Sequence, residues 1–136
     1  MMGFRQEPEE SLNALAGAVI GAAIAVHREL GPGFSEALYE QALCLELAGR
    51  AISFARHVRV AVLYKGTPIG ESRVDVVVHE SLLLELKATE GHTPLHVAQV
   101  LSYLKTTGLP LALLINFNVP SLRHGLRRIA RTRVPQ

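Results

Sequence analysis

Residues 73–87 constrain the fold most, because they divide into two short apolar runs around a polar centre. Two such runs predict an antiparallel hairpin. If residues 79–81 form the turn, Val78 faces Leu82 and Asp75 faces Glu85. A turn of two or four residues would instead place Asp75 and Glu85 on opposite faces, since a slip of one residue reverses every side chain.

Alternation along the strands then sorts the hairpin into an apolar face and a charged face. The apolar face carries Val74, Val76, Val78, Leu82, Leu84 and Leu86. The charged face carries Arg73, Asp75, Val77, Leu83, Glu85 and Lys87. Opposed side chains have Cβ atoms about 4.5–5.5 Å apart, and like charges there repel. The pair therefore predicts a site for Mg²⁺, which binds to one or two carboxylates and keeps several waters. The alternative is an exposed surface of mixed charge.

Composition limits the class of protein. The chain has 136 residues, of which 49% are hydrophobic and 19% charged, as in one globular domain. The net charge of +2 and the pI of about 9.0 fit a nucleic-acid partner. Cys44 is the one cysteine, which excludes a disulfide framework and favours a cytoplasmic location. The apolar run 14–26 is shorter than the ~20 residues that span a bilayer, so we expect no membrane partner.

The chain divides into a flexible arm (1–10), one domain (11–131) and a tail (132–136). Within the domain, Ser11 can cap a helix to about Leu30, and a second helix covers about 35–48. Strands follow at 57–64, from about 69, at 82–87 and at 111–117, with a helix from Thr93 to about Thr106 before the last of them. The order predicts an α/β (α+β) fold with a mixed four-stranded central sheet flanked by helices. A basic end follows the last strand.

Three motifs resemble a known family. Residues 33–39 (GFSEALY) match the GxxExxY signature, with Glu36 as its acid. Asp75 with residues 85–87 (ELK) matches the D…ExK signature, and residues 99–103 (QVLSY) match a QxxxY helix. The chain from about 11 to 130 thus resembles a small GxxExxY protein of the PD-(D/E)XK nuclease superfamily.

The resemblance implies a fold and a set of roles. It implies a PD-(D/E)XK nuclease-like domain in which the ligands of Mg²⁺ or Mn²⁺ are Asp75, Glu85, the carbonyl of Leu86, and Glu36. The catalytic residues would be Asp75, Glu85, Lys87, Gln99 and Tyr103. Lys87 would position water or stabilise charge, and Gln99 and Tyr103 would hold the substrate or the lysine. The basic C-terminal residues could bind phosphates. The nucleic-acid-binding residues would be Arg73, Tyr103, Arg123, Arg127 and Arg128; a solvated tail is the alternative for the last three.

Three functions compete. The first is a metal-dependent nuclease that acts on nucleic acid, and on DNA in particular. The second is a non-catalytic nucleic-acid-binding or assembly subunit that keeps the fold. The third, compatible with both, is self-association into a homo-oligomer through the Ala- and Gly-rich first helix. An intact Lys87 favours the nuclease, because binding alone does not need a lysine beside two metal-binding acids.

Overall fold

The structure is a computed structural model, and it describes residues 9–91 and 93–131. Most of the predicted arm (1–8) and the predicted tail (132–136) lie outside the described residues. Glu9 and Glu10, which were assigned to the arm, instead form the first turn of the first helix. Two carboxylates are favourable there, because the helix dipole is positive at its N-terminus. Ser11 is therefore inside the helix and does not cap it.

Three α-helices and five β-strands make up the described chain. The helices are α1 (Glu9–Leu30), α2 (Glu36–Gly49) and α3 (Pro94–Thr107). The strands are β1 (Phe54–Tyr64), β2 (Thr67–Val78), β3 (Leu82–Lys87), β4 (Leu111–Asn116) and β5 (Leu126–Ala130), and a short 3₁₀ helix (Leu122–Gly125) precedes β5. These elements confirm the predicted fold class and its flanking helices.

The strands lie side by side in chain order, from β1 to β5. Only β3 and β4 are parallel, and α3 makes the crossover between them; the other neighbours are antiparallel. The sheet is mixed, as predicted, but it has five strands rather than four. The basic end contains β5, an edge strand in which Ile129 is buried while Arg127 and Arg128 are exposed. Charged residues on an edge strand discourage pairing with another chain.

Helices cover both faces of the sheet and create two cores. One core joins α1 and α2 to the sheet through residues that include Val76, Leu84 and Ile115. The other joins α3 to the sheet through residues that include Val77 and Leu83. Leu84 is fully buried, and burial of a leucine side chain contributes about 1.5–3 kcal/mol. The two cores fix β2 and β3 from both sides.

The first helix packs along the α1–α2 core with Leu12, Ala16, Val19, Ala23 and Val26 buried. Its 22 residues make it long and apolar enough, by length and composition alone, to cross a membrane. This differs from the expectation drawn from the shorter apolar run. Core helices pass the same test, and the buried face of α1 lies against the rest of the fold.

The central hairpin has the predicted register near its turn. Val76 pairs with Leu84, Val77 with Leu83 and Val78 with Leu82. The predicted faces are wrong beyond Val76. Arg73 and Asp75 line a surface cleft with Leu86, which was predicted on the other face, while Val77 and Leu83 pack in the α3 core. Val74 also packs with the α3 core, whereas Val76 and Val78 pack with the α1–α2 core. Strict alternation would put all three on one face. The strand is therefore irregular between Val74 and Val76, where Asp75 lies.

Candidate active site

The paired strands β2 and β3 separate at the two acids. Backbone pairing stops at Val76 and Leu84. Beyond it, the Asp75 N–H donates to the Glu85 carboxylate at 3.1 Å, and the Leu86 N–H donates to the Asp75 carboxylate at 2.8 Å. Each carboxylate thus satisfies a backbone group that a regular ladder would have used. The opposed acids hold the separating strands together and keep their remaining oxygen atoms for other partners.

Strand β1 is also irregular beside Asp75. Its pairing with β2 passes from Arg56 and Val76 to Val58 and Val74 and omits His57 and Asp75. His57 has a φ of 53°, a left-handed conformation that is uncommon outside glycine and is worth explaining by function or local constraint. Both neighbours of Asp75 in the sheet therefore depart from regular pairing at this level.

Burial and mutual repulsion make the two acids hard to ionise together. Burial, then the charge of Asp75, raises the pKa of Glu85 to about 7. The pKa of Asp75 is raised as well, chiefly by burial, while the hydrogen bond from Leu86 opposes the rise. The Lys87 ammonium lies 4.0 Å from the Glu85 carboxylate. A metal cation bound between Asp75 and Glu85 would favour the ionised form of both acids.

The α3 helix brings its polar face to the same place. Lys87 Nζ donates to Gln99 Oε1 at 3.4 Å. Tyr103 is half-buried, and its pKa is raised by burial and then by the charges of Glu85 and Asp75. Helix α3 starts as predicted, with Thr93 capping the backbone N–H of His96 and Pro94 in the first turn, and it ends at Gly108 with a φ of 77°. These caps determine where the helix begins and ends.

A cleft of about 300 Å³ opens between α2 and the separating strands. Four residues predicted from the sequence lie in its lining: Glu36, Arg73, Asp75 and Leu86. Glu36 is exposed at the first turn of α2. A second cleft, on the α3 side, is lined by residues that include Lys87 and Gln99. The predicted residues are thus divided between two clefts on opposite faces of the sheet, and the contacts of Glu85 with Asp75 and Lys87 connect them.

Three further polar residues in the cleft were not predicted as site residues: Glu40, Arg56 and His57. Glu40 is buried, and its Oε2 atom lies 2.6 Å from Arg56 Nη2 and 2.7 Å from His57 Nε2. The spacing of Glu36 and Glu40, one helical turn apart, could have identified Glu40. No local pattern could have identified Arg56, because its contact with Glu40 joins residues 16 positions apart.

The tyrosine of the GxxExxY motif has a structural position. Tyr39 is fully buried and stacks on Phe117, with ring centroids 4.5 Å apart. Its hydroxyl donates to the carbonyl of Gly31 and accepts the N–H of Phe34. These bonds close the loop before α2, in which Gly33 has a φ of 110°. Tyr39 thereby holds the end of α2 that presents Glu36 to the cleft.

The basic residues of the C-terminal region lie away from the cleft. Arg123, Arg127 and Arg128 are exposed, and none of them lines it. Arg127 pairs with Leu114, which pairs with Glu85, so Arg127 is two strands, or about 10 Å, from the acid. Arg128 donates to Asn13 of α1. The structure thus brings Arg73 to the acids but not these three arginines.

The donor set fits a hard divalent cation that retains water. Within residues 9–91 and 93–131, no group of three Asp, Glu, His or Cys side chains lies close enough to hold a metal. Two carboxylates do converge, and the backbone of Leu86 lies beside them. Such a set suits Mg²⁺, which is usually bound by one or two carboxylates and several waters. A bound cation would reduce the repulsion between the two carboxylates, and this favours its binding.

The fold and site together define a class. A mixed sheet between helices, with two acids and a lysine where two strands separate, has the organisation of a nuclease-type α/β domain. A model of the PD-(D/E)XK nuclease superfamily matches residues 13–129, most of the chain. The chain therefore belongs to the PD-(D/E)XK nuclease superfamily. A search of curated proteins and a search of solved structures each found no match.

Proposed function

We propose that this chain is a nuclease that hydrolyses phosphodiester bonds in DNA and depends on Mg²⁺ or Mn²⁺. One observation supports this most directly: Asp75 and Glu85 converge where β2 and β3 separate, with Lys87 within 4.0 Å of Glu85. Ordinary backbone pairs would join the strands without placing a buried Glu85 beside a half-buried Asp75, where the ionisation of each is opposed. In a metal site, the same repulsion between the carboxylates favours the binding of a cation.

Each residue then has a role that follows from its position. The carboxylates of Asp75 and Glu85 and the backbone carbonyl of Leu86 would hold the ion. Glu36 would reach it from α2. The ion, when bound, supplies a water of lowered pKa and neutralises charge on phosphate oxygens. Lys87 stabilises the negative charge that develops on the phosphate. Gln99 keeps the lysine in place through its 3.4 Å hydrogen bond.

Tyr103 lies on α3, one helical turn after Gln99. Its ring is half-buried, and its hydroxyl group is hydrogen-bonded to Gln99 and Ser72. It would therefore support Gln99, which in turn contacts Lys87. Few aromatic residues accompany it, since only 5% of the chain is aromatic. A continuous platform for stacking several bases is not part of this proposal.

Within the superfamily, we assign the chain to the GxxExxY branch. The match of residues 33–39 to the GxxExxY signature supports this assignment. Its residues Gly33, Glu36 and Tyr39 lie in a positive-φ turn, in the lining of the cleft and in the core, respectively. We also place its action in the cytoplasm, where the buried Cys44 would stay reduced. Self-association through α1 completes the proposal, and sedimentation velocity tests it directly.

Cleavage assays test the main proposal. The purified chain is incubated with linear duplex, circular duplex, single-stranded DNA and RNA, with Mg²⁺, Mn²⁺ or EDTA. We expect cleavage of DNA with either ion and none with EDTA. Asp75→Asn should remove the activity, whereas Glu71→Gln, an exposed acid on the same strand, should retain it. Equal activity in EDTA would contradict the proposal.

A non-catalytic nucleic-acid-binding subunit is the second candidate. The observation that favours it is the lack of a three-residue metal-ligand group among the described residues. The two candidates differ in one measurement. The subunit would bind DNA with an affinity independent of divalent ions and would cleave no substrate under any of the conditions above.

A further inference from the structure

Arg56 presents a fixed guanidinium group to the cleft. Its Nε and Nη2 atoms donate to Glu40 Oε2 at 3.0 and 2.6 Å, and its Nη1 atom donates to Gln41 at 3.0 Å. A guanidinium has five N–H bonds, so these contacts leave one on each Nη atom. Arg56 also lines the cleft that contains Glu36 and Asp75. Two donors are thus held beside the acids.

Glu40 determines where that guanidinium lies. Its side chain is 10% exposed, and one of its oxygens contacts both Arg56 and His57. Charge-assisted contacts of this kind are shorter and stronger than neutral ones. Because Glu40 projects from α2 and Arg56 from β1, the contact also joins the two walls of the cleft. The arginine therefore loses little conformational freedom when a ligand binds.

The charges of the cleft make this arginine decisive for an anionic ligand. Glu36, Glu40 and Asp75 supply three negative charges and Arg56 and Arg73 two positive charges, so the lining carries about one excess negative charge. A divalent cation changes the excess to about one positive charge. Without Arg56 the same cleft would be neutral even with the cation bound. With Glu40 ionised, a net positive charge in this lining therefore requires both the cation and Arg56.

We propose that Arg56, held in position by Glu40, binds a backbone phosphate of the nucleic acid beside the acids of the cleft. This rests on the proposed function, because it names a substrate contact of the same site. Planar paired donors match the geometry of a phosphate group, which is why arginine is favoured at such contacts. A phosphate contact of this kind fixes the position of the strand but carries no base specificity.

A purely structural role for the Glu40–Arg56 pair makes a different prediction. A pair that only fastens α2 to β1 would affect the stability of the fold and nothing else. A phosphate contact would change the salt dependence of nucleic-acid binding, because each neutralised phosphate contributes about 0.9 to the logarithmic slope for duplex DNA and about 0.7 for single strands. The slope is therefore the measurement that separates the two roles.

The experiment measures binding of labelled DNA by fluorescence anisotropy between low and moderate KCl, with Mg²⁺ present. A Lys87→Ala background prevents cleavage during the measurement. The test variants are Arg56→Gln, Arg56→Lys and the double variant Glu40→Gln/Arg56→Gln, which keeps the net charge and leaves no unpaired acid. Arg50→Gln is the matched control, since Arg50 also pairs with a glutamate of α2, Glu46, but does not line the cleft.

We expect the slope to fall by about 1 in Arg56→Gln and in the double variant, and to be largely kept in Arg56→Lys. Arg50→Gln should bind with the unmodified slope. With Lys87 present, Arg56→Gln should raise KM more than it lowers kcat. An unchanged slope in both glutamine variants would overturn the phosphate contact, even if the unmodified protein cleaves DNA. A lowered slope in a protein that cleaves nothing would reject the nuclease and keep the contact.

Discussion

The two ends of the β2–β3 hairpin are built differently. The turn end comprises the paired residues 76–78 and 82–84, and the open end contains Asp75 and Glu85. Near the turn, three residue pairs form a regular ladder and bury both of their faces. At the other end, side-chain hydrogen bonds of Asp75 and Glu85 replace the ladder, and Asp75 lines a cleft. Regular packing stabilises the turn end. At the open end, the carboxylates of Asp75 and Glu85 repel each other, and a bound cation would relieve that repulsion.

The comparison predicts that substitutions at the turn end change stability and those at the open end change activity. The largest effect expected is on stability. Leu84→Ala should lower the free energy of unfolding by about 2–5 kcal/mol, because it removes a fully buried side chain and leaves a cavity. Denaturant unfolding measures this loss. Leu95→Ala, at a residue 76% exposed, is the control and should change little.

The second prediction concerns Lys87 at the open end. Lys87→Ala should lower kcat for cleavage by about 10²–10³-fold, the usual cost of removing one group that stabilises charge in a transition state. Its unfolding midpoint should stay close to that of the unmodified protein. Lys105→Ala on the exposed surface of α3 is the control. Full activity in the Lys87 variant would mean that the cleavage comes from another site or from a contaminant.

The sequence predicted the turn end better than the open end for a physical reason. Alternation and turn length determine register wherever the ladder is regular, and they gave the pairing of Val76 with Leu84. The same rule misplaced Val74, because it assumes that alternation continues through Asp75. Where backbone pairing stops, the structure depends on the side-chain contacts that replace the backbone bonds. Those contacts join β2 to β3 and cannot be read from either strand alone.

Two other differences have related causes. The fifth strand was not predicted because its apolar residues Leu126 and Ile129 are three positions apart and pack on opposite faces, so a strand of five residues shows no alternation. The pair of Glu40 and Arg56 was not predicted because it forms only when α2 packs beside β1. Motif residues such as Glu36, Asp75 and Gln99 could be placed near one site in advance. The distances between these residues and the course of the cleft could not be predicted from the sequence.

The third prediction uses the raised pKa of Glu85. A carboxyl group with a pKa near 7 in the folded state and near 4.5 in the unfolded state retains its proton longer when folded. The unfolded state therefore binds fewer protons between these values, and stability without metal should fall as the pH rises from about 4.5 to 7. The expected loss is about 1–3 kcal/mol.

Denaturant unfolding in EDTA at several pH values measures this loss. Glu85→Gln should flatten the dependence, since it removes the titrating group. Asp75→Asn should reduce it, because the neighbouring charge contributes to the raised pKa. Stability that rises over this range in the unmodified protein would contradict the assignment of a protonated Glu85 to the folded state.

The smallest effect expected is the stabilisation by metal, and it tests the open end most directly. A ligand that binds only the folded state stabilises it by RT ln(1 + [L]/Kd), about 1.4 kcal/mol at ten times Kd. For a domain of this size, the melting temperature should rise by about 3–6 °C with Mn²⁺ or Mg²⁺. Asp75→Asn should lose most of this rise, although an asparagine oxygen can still accept the Leu86 N–H.

Without metal, Asp75→Asn should not lower the melting temperature, although it replaces a hydrogen-bonded side chain. Asp75→Asn removes one of two charges that oppose each other, so its melting temperature in EDTA should equal or exceed that of the unmodified protein. Glu71→Gln is the control, because Glu71 lies on β2 but is exposed and 3.7 Å from Arg59. Its response to metal should match that of the unmodified protein. Equal responses in Asp75→Asn would remove Asp75 from the ligands and, with it, the reason for the acids to converge.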